Sequence, residues 1–193
     1  MRNFKVTLQY EGTRYNGWQR QGNTPDTIQE RLERVLSKLA GRPVEVYGSG
    51  RTDAGTHAAG QTANFHLDTA LPPEEIMAYL NAYLPQDIGV IEIEEAPLRF
   101  HSRLNAKRKT YQYRIHRGSI PMVFERRYMA EYPGPLDVEA MRQAAEHLLG
   151  RHDFMAFCAN RHMKKSTVRT LYSVQIKEEG EELILEFYGD GFL

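Results

Sequence analysis

The order of strand-type and helix-type patterns in the first half of the chain most constrains its fold. Residues 3–10 alternate apolar and polar side chains, as a half-buried strand does, and residues 28–39 carry apolar side chains at helical spacing. A second helix pattern begins at residue 72. Further strand patterns occupy 43–47, 61–66 and 88–93. This order predicts a ferredoxin-like or RNA-recognition-like α+β unit with a mostly antiparallel sheet.

The first helix has a recognisable start and stop. Thr27 is followed three residues later by Glu30, which is the spacing of a capping box, and Gly41 precedes Pro43 at the predicted end. Trp18, just upstream, is predicted to be a core anchor, because a large aromatic side chain is most often buried. Arg14 and Arg20 flank it and are predicted to face RNA.

The second half repeats the α+β pattern less regularly. Four strands are predicted, around 100–104, 110–116, 168–177 and 182–188. A helix is predicted over 136–149. We therefore expect two α+β domains, residues 1–98 and residues 99–193. The boundary carries no Gly/Ser linker, so we expect the two sheets to be packed or continuous, with a cleft between them as the default site.

Composition narrows the class of protein. The 193 residues are 41% hydrophobic, which is enough for a real core, and Cys158 is the single cysteine. One cysteine forms no intramolecular disulfide, and no apolar run reaches the roughly 20 residues of a spanning helix. We expect a soluble, cytoplasmic protein. The spacing of His and Cys fits no zinc site, and no nucleotide-binding glycine pattern is present, so no metal or nucleotide cofactor is expected.

The formal net charge of zero conceals segregated charge. Residues 99–127 contain nine basic residues and one acidic residue, whereas residues 177–190 contain six acidic residues and one lysine. Such segregation permits one basic face on a neutral molecule.

Residues 48–59 combine three glycines with Arg51, Asp53 and His57 directly after a predicted strand. Glycine lets a backbone adopt positive φ or approach another chain closely, which suits a loop that admits a substrate. The same residues also fit a plain turn, in which Asp53 caps its own backbone and the other two side chains are solvated. The residues alone leave both interpretations open.

The segment Arg51-Thr52-Asp53-Ala54-Gly55-Thr56-His57 resembles the signature loop of the tRNA pseudouridine synthase A (TruA) family, in which valine is more common at position 56. Similar segments follow in the family's order over nearly the whole chain. They lie at 12–21, 27–30, 81–85, 100–103, 109–113 and 167–169.

The resemblance implies that Asp53 is catalytic, that Tyr111 packs against a flipped uridine, and that the enzyme acts without a cofactor. It further implies a homodimer that isomerises uridines 38, 39 and 40 of the tRNA anticodon arm. Arg51 is predicted to replace the flipped base, because side chains two positions apart share one side of an extended backbone. The remaining basic candidates are predicted to bind phosphates. They are Arg14, Arg20, Arg103, Lys107, Arg108, Lys109 and the cluster 161–165.

The sequence differs from the family pattern at its last residues. In the family, a Gly/Phe segment like residues 189–193 continues into a helix whose Arg or Lys meets the catalytic carboxylate. We therefore expect a C-terminally truncated form, poorly active and less dimeric, in which Asp53 lacks that cation unless Arg51 substitutes.

Two other functions fit parts of the pattern. A non-catalytic RNA-recognition module would need stacking aromatics but no Asp53. A glycoside hydrolase also acts at a sugar C1, but it needs a second acid that no motif supplies.

Overall fold

The computed structural model describes residues 1–158 and 166–193. The chain divides into two compact units, Met1–Ala106 and Lys107–Leu193. The predicted cluster 161–165 lies outside the described residues, because residues 159–165 are not among them.

The first unit contains four strands and two helices. The strands are β1 (Arg2–Tyr10), β2 (Val46–Gly48), β3 (Ala58–Leu67) and β4 (Ile88–Ala96), and the helices are α1 (Ile28–Ala40) and α2 (Pro73–Tyr83). The sheet order is β2-β3-β1-β4 with every pair antiparallel. This βαββαβ order is that of a ferredoxin-like unit and confirms the α+β fold class.

The predicted limits of α1 are confirmed by its caps. The Thr27 hydroxyl accepts a hydrogen bond from the backbone N–H of Glu30, and Gly41 ends the helix with φ of 66°. The apolar face of α1 packs onto the sheet, where Phe4, Leu8 and Leu36 are completely buried. Trp18 belongs to the same core and is 2% exposed, as predicted.

The predicted strand over residues 100–104 is wrong, because this segment forms turns that belong to the first unit. The side-chain amide of Asn3 donates hydrogen bonds of 2.9 Å to the carbonyl oxygens of Pro97 and Phe100. Asn64 accepts a 2.9 Å hydrogen bond from the N–H of Ser102. Both Asn3 and Asn64 are completely buried, so side chains satisfy the polar backbone groups that a strand partner would otherwise satisfy.

The second unit has five strands and, among its described residues, one α-helix. The strands are β5 (Lys109–His116), β6 (Ala130–Glu131), β7 (Gly150–Asp153), β8 (Val168–Glu179) and β9 (Glu182–Gly189), and the helix is α3 (Val138–Glu146). The sheet order is β6-β5-β9-β8-β7, antiparallel except for β5 and β6. No helix in the described parts of the chain is long and apolar enough to cross a membrane.

Candidate active site

Asp53 lies on the connection between β2 and β3. We call residues 49–57 the Asp53 loop. Its centre is a turn in which the N–H of Thr56 donates to the carbonyl oxygen of Asp53 at 3.1 Å. Gly55 occupies the third position of this turn with φ of 78°, which a type II turn requires and which strains any side-chain-bearing residue.

The start of the Asp53 loop is fastened to β3. The N–H of Ser49 donates to the carbonyl oxygen of Thr62 at 2.7 Å, and the Ser49 hydroxyl donates to Gln61 Oε1 at 2.8 Å. Gln61 Nε2 then donates to the carbonyl oxygen of Gly50 at 2.9 Å. The first two residues of the loop are therefore fixed by one buried amide side chain.

A second loop, residues 11–20, holds the other side of the Asp53 loop. The N–H of Trp18 donates to Thr52 O at 3.0 Å, and the N–H of Gly55 donates to Tyr15 O at 3.1 Å. The Tyr10 hydroxyl lies 2.9 Å from Thr52 Oγ1. These contacts hold the residues on both sides of Asp53, so the position of its backbone is fixed. The 11–20 loop was not predicted to support Asp53.

Asp87 in turn anchors the 11–20 loop. Its Oδ1 accepts a 2.6 Å hydrogen bond from the Tyr15 hydroxyl, and its Oδ2 accepts from Arg14 Nε at 3.1 Å. Burial raises the pKa of Asp87, but hydrogen bonds from Tyr15 and Arg14 outweigh it and hold this pKa below its ordinary value. Burial, followed by the bond to Asp87, raises the pKa of Tyr15.

Asp53 itself is exposed. Within residues 1–158 and 166–193 its carboxylate makes no hydrogen bond or ion pair. A carboxylate on a fixed backbone with no partner of its own is available to a substrate. The same described residues hold no group of three or more His, Cys, Asp or Glu arranged for a metal ion.

Arg51 does not pair with Asp53. Its Nε donates instead to Gln19 Oε1 at 3.1 Å, while the side chain remains exposed. Arg51, the cation that the sequence offered as a partner for Asp53, is therefore held by the 11–20 loop instead. Gln19 was not identified as a site residue from the sequence.

Two of the predicted RNA-facing arginines make ion pairs within the first unit. Arg14 Nη2 lies 2.5 Å from Asp87 Oδ2, and Arg20 Nη1 lies 2.8 Å from Glu33 Oε2. Their side chains remain 70% and 57% exposed, so phosphate contact stays a prediction for both. The predicted phosphate ligand Arg103 is also exposed.

Tyr111 lies on β5 of the second unit, opposite Phe187 of β9. Its half-buried ring contacts Phe192 edge-on, with ring centroids 4.7 Å apart and an interplanar angle of 76°. Its role against a base stays a prediction.

The basic residues before and on β5 differ in their surroundings. Lys107 is exposed, whereas the Arg108 guanidinium lies 5.0 Å and 5.7 Å from the ring centroids of Tyr172 and Tyr188. Lys109 begins the strand and is partly buried.

The acidic segment of β8 and β9 neutralises part of the basic segment. Arg114 Nη2 donates to Glu182 at 2.9 Å, and Arg117 Nη1 lies 3.1 Å from Glu178. The charge segregation seen in the sequence is therefore reduced in the folded unit.

Comparison with known proteins gives a consistent result. A family model described as tRNA pseudouridine synthase matches residues 7–105 and 144–193. The chain is 45% identical to tRNA pseudouridine synthase A 2 of Bacillus anthracis and 41% identical to tRNA pseudouridine synthase A of Clostridium acetobutylicum. It is 43% identical to tRNA pseudouridine synthase A of Geotalea uraniireducens. Each match covers all 193 residues of this chain and 79% of the relative.

The α+β fold and these matches define an isomerase that acts on tRNA. The chain belongs to the tRNA pseudouridine synthase A family.

Proposed function

We propose that this chain isomerises uridine to pseudouridine in the anticodon arm of tRNA, at positions 38, 39 and 40 in tRNA numbering. These positions follow from the family resemblance. The reaction breaks the C1′–N1 bond of the nucleoside, turns the uracil and joins C1′ to C5, while C5 loses its proton and N1 gains one. Its atoms and electrons balance without an oxidant, a reductant or an energy source, so side chains are sufficient and no cofactor is needed.

Asp53 supplies the reactive carboxylate. The observation that carries this assignment is an exposed carboxylate, without a partner in the described residues, on a backbone fixed by Trp18 and Tyr15 on one side and Gln61 on the other. A fixed carboxylate acts as nucleophile or as base at the reacting sugar or uracil and is regenerated at the end of the reaction.

The target uridine must leave its stack before Asp53 reaches it, which costs a few kcal/mol. Arg51 lies two residues from Asp53 and is held at Nε. Its two terminal nitrogens make no hydrogen bond within the described residues, so they are available to the position that the base vacates. Tyr111 packs against the flipped base.

The remaining contacts are to the RNA backbone. Arg103, Lys107, Arg108 and Lys109 bind phosphates, together with the exposed parts of Arg14 and Arg20. The enzyme works as a homodimer, as the family resemblance implies, and its single cysteine fits a reducing cytoplasm.

The experiment is release of tritium from unmodified tRNA carrying uridine labelled at C5, because bond formation at C5 expels that hydrogen. We expect release equal to the number of target uridines, and loss of release when positions 38–40 carry cytidine. No release from the wild-type tRNA, with folded protein in excess, would contradict the proposal.

A further inference from the structure

A chain of side-chain hydrogen bonds leads from the core of the first unit to Arg51. Arg51 Nε donates to Gln19 Oε1 at 3.1 Å, and Gln19 Nε2 donates to Gln29 Oε1 at 2.9 Å. Gln29 Nε2 donates to Glu33 Oε1 at 2.9 Å. Gln29 and Glu33 lie on α1 and are only 7% and 4% exposed.

The direction of this chain is set at its buried end. The Glu33 carboxylate only accepts hydrogen bonds, and its Oε1 also accepts from the N–H of Val46 at 3.0 Å. Gln29 must therefore point its NH2 group at Glu33, where the same nitrogen also donates to Val46 O at 3.0 Å. Its oxygen is thereby turned towards the 11–20 loop.

The orientation of Gln29 then fixes that of Gln19. Gln29 Oε1 accepts from the N–H of Arg20 at 2.8 Å as well as from Gln19 Nε2. With its NH2 group committed to Gln29, Gln19 has only its carbonyl oxygen left to face Arg51. That oxygen accepts hydrogen bonds and a guanidinium group only donates them, so Arg51 must be the donor and Gln19 the acceptor.

We infer that Gln19 is a positioning residue, which holds the Arg51 guanidinium in place for insertion into the RNA stack, with its own orientation set by Gln29 and Glu33. This inference rests on the proposed role of Arg51. A free arginine side chain samples many rotamers, and an anchor at Nε removes part of that freedom before the RNA arrives. With Nε as the anchor, both terminal nitrogens stay without a hydrogen bond in the described residues.

The test is a double-mutant cycle between Gln19→Met and Arg51→Ala, with single-turnover tritium release as the measured rate. Methionine keeps the length of glutamine but has no amide, and Gln19→Ala serves as a second variant if packing is disturbed. Gln21→Ala is the matched control, because Gln21 lies in the adjacent stretch and donates to Asn16 O at 2.8 Å without contacting Arg51.

We expect Gln19→Met to slow single turnover by about tenfold, the effect of one hydrogen bond to a charged group. The double variant should be no slower than Arg51→Ala, because Gln19 acts through Arg51. Fluorescence of 2-aminopurine next to the target uridine should rise more slowly in Gln19→Met. The rate defect should shrink on an RNA whose target uridine is already unstacked, which a purely structural defect would not do.

Additive effects of the two substitutions, or wild-type turnover by Gln19→Met beside a slow Arg51→Ala, would overturn the inference and leave the proposed function intact. Full turnover by both Arg51→Ala and Asp53→Asn would instead remove the proposed function and this inference with it.

Discussion

Gly12 and Thr56 are in backbone contact: a Cβ atom placed on Gly12 would lie 2.0 Å from the carbonyl oxygen of Thr56. Real side chains do not approach a carbonyl so closely, and backbone atoms cannot rotate away as a side chain can. The 11–20 loop and the Asp53 loop can therefore approach this closely only because Gly12 has no side chain.

We expect Gly12→Ala to displace the Asp53 loop. The free energy of unfolding should fall by about 1–3 kcal/mol, the usual cost of overpacking. The isomerisation rate should fall by about 10²-fold, because a shift near 1 Å is sufficient for such a loss. Gly22→Ala is the matched control, since a Cβ there meets nothing within 4 Å. Urea unfolding and single-turnover kinetics measure the two effects, and equal behaviour of the two variants would refute the contact.

Asp53→Asn should reduce isomerisation to the background rate while tRNA affinity stays within a few-fold of wild type. The substitution removes the reactive carboxylate but leaves every phosphate contact in place. Asp68→Asn is the control, because Asp68 is an exposed carboxylate, 72% accessible, that pairs with the N-terminus. Appreciable tritium release by purified Asp53→Asn would show that another group carries the chemistry.

Lys107→Ala should weaken binding of all tRNAs alike. It should also lower the slope of log affinity against log salt by about 1, because one phosphate contact is lost. The free energy of unfolding should not change, since Lys107 is exposed.

Arg108→Ala should weaken tRNA binding in the same way but should also destabilise the second unit. Its guanidinium packs over Tyr172 and donates to the Tyr188 hydroxyl at 2.9 Å. Filter binding at several salt concentrations and thermal unfolding separate the two contributions. Unchanged affinity in both variants would place the RNA on another face.

Asp87 should make stability depend on acid pH. Its pKa is lower in the folded chain than in the unfolded chain, so the unfolded state binds more protons between the two values. The stabilisation is complete above the unfolded value of about 3.9 and is lost as the pH falls through the folded value.

Asp87→Asn should therefore lower the unfolding temperature at neutral pH and lose less of it on acidification than wild type. Thermal unfolding between pH 2 and pH 7 measures this difference. Parallel wild-type and Asp87→Asn curves would mean that folding does not lower the pKa of Asp87.

The fold of the first unit was accessible from the sequence because its signals are local. Alternation over residues 3–10 and the Thr27 cap each depend on neighbouring residues, and both are confirmed as β1 and α1. The predicted burial of Trp18 also holds.

The supports of the candidate site were not accessible, because each joins distant parts of the chain. Tyr15 and Asp87 are 72 positions apart, and Gln19 and Arg51 are 32 positions apart. The wrong strand over 100–104 has the same origin. Its apolar and basic residues fit a strand, and only the folded chain brings Asn3 and Asn64 to its backbone.

The Asn3 and Asn64 amides set where the first unit can be separated from the rest of the protein. A fragment ending at residue 98 would lose the Phe100 carbonyl and the Ser102 N–H. Asn3 would keep the Pro97 carbonyl as an acceptor, but the buried Asn64 Oδ1 would lose the Ser102 N–H, its donor, at a cost of about 1–3 kcal/mol. A fragment ending at Ala106 keeps these contacts and cuts within residues 103–108, which are all exposed. Expression of residues 1–106 alone, or limited proteolysis within residues 103–108, would therefore yield a first unit that keeps its buried hydrogen bonds.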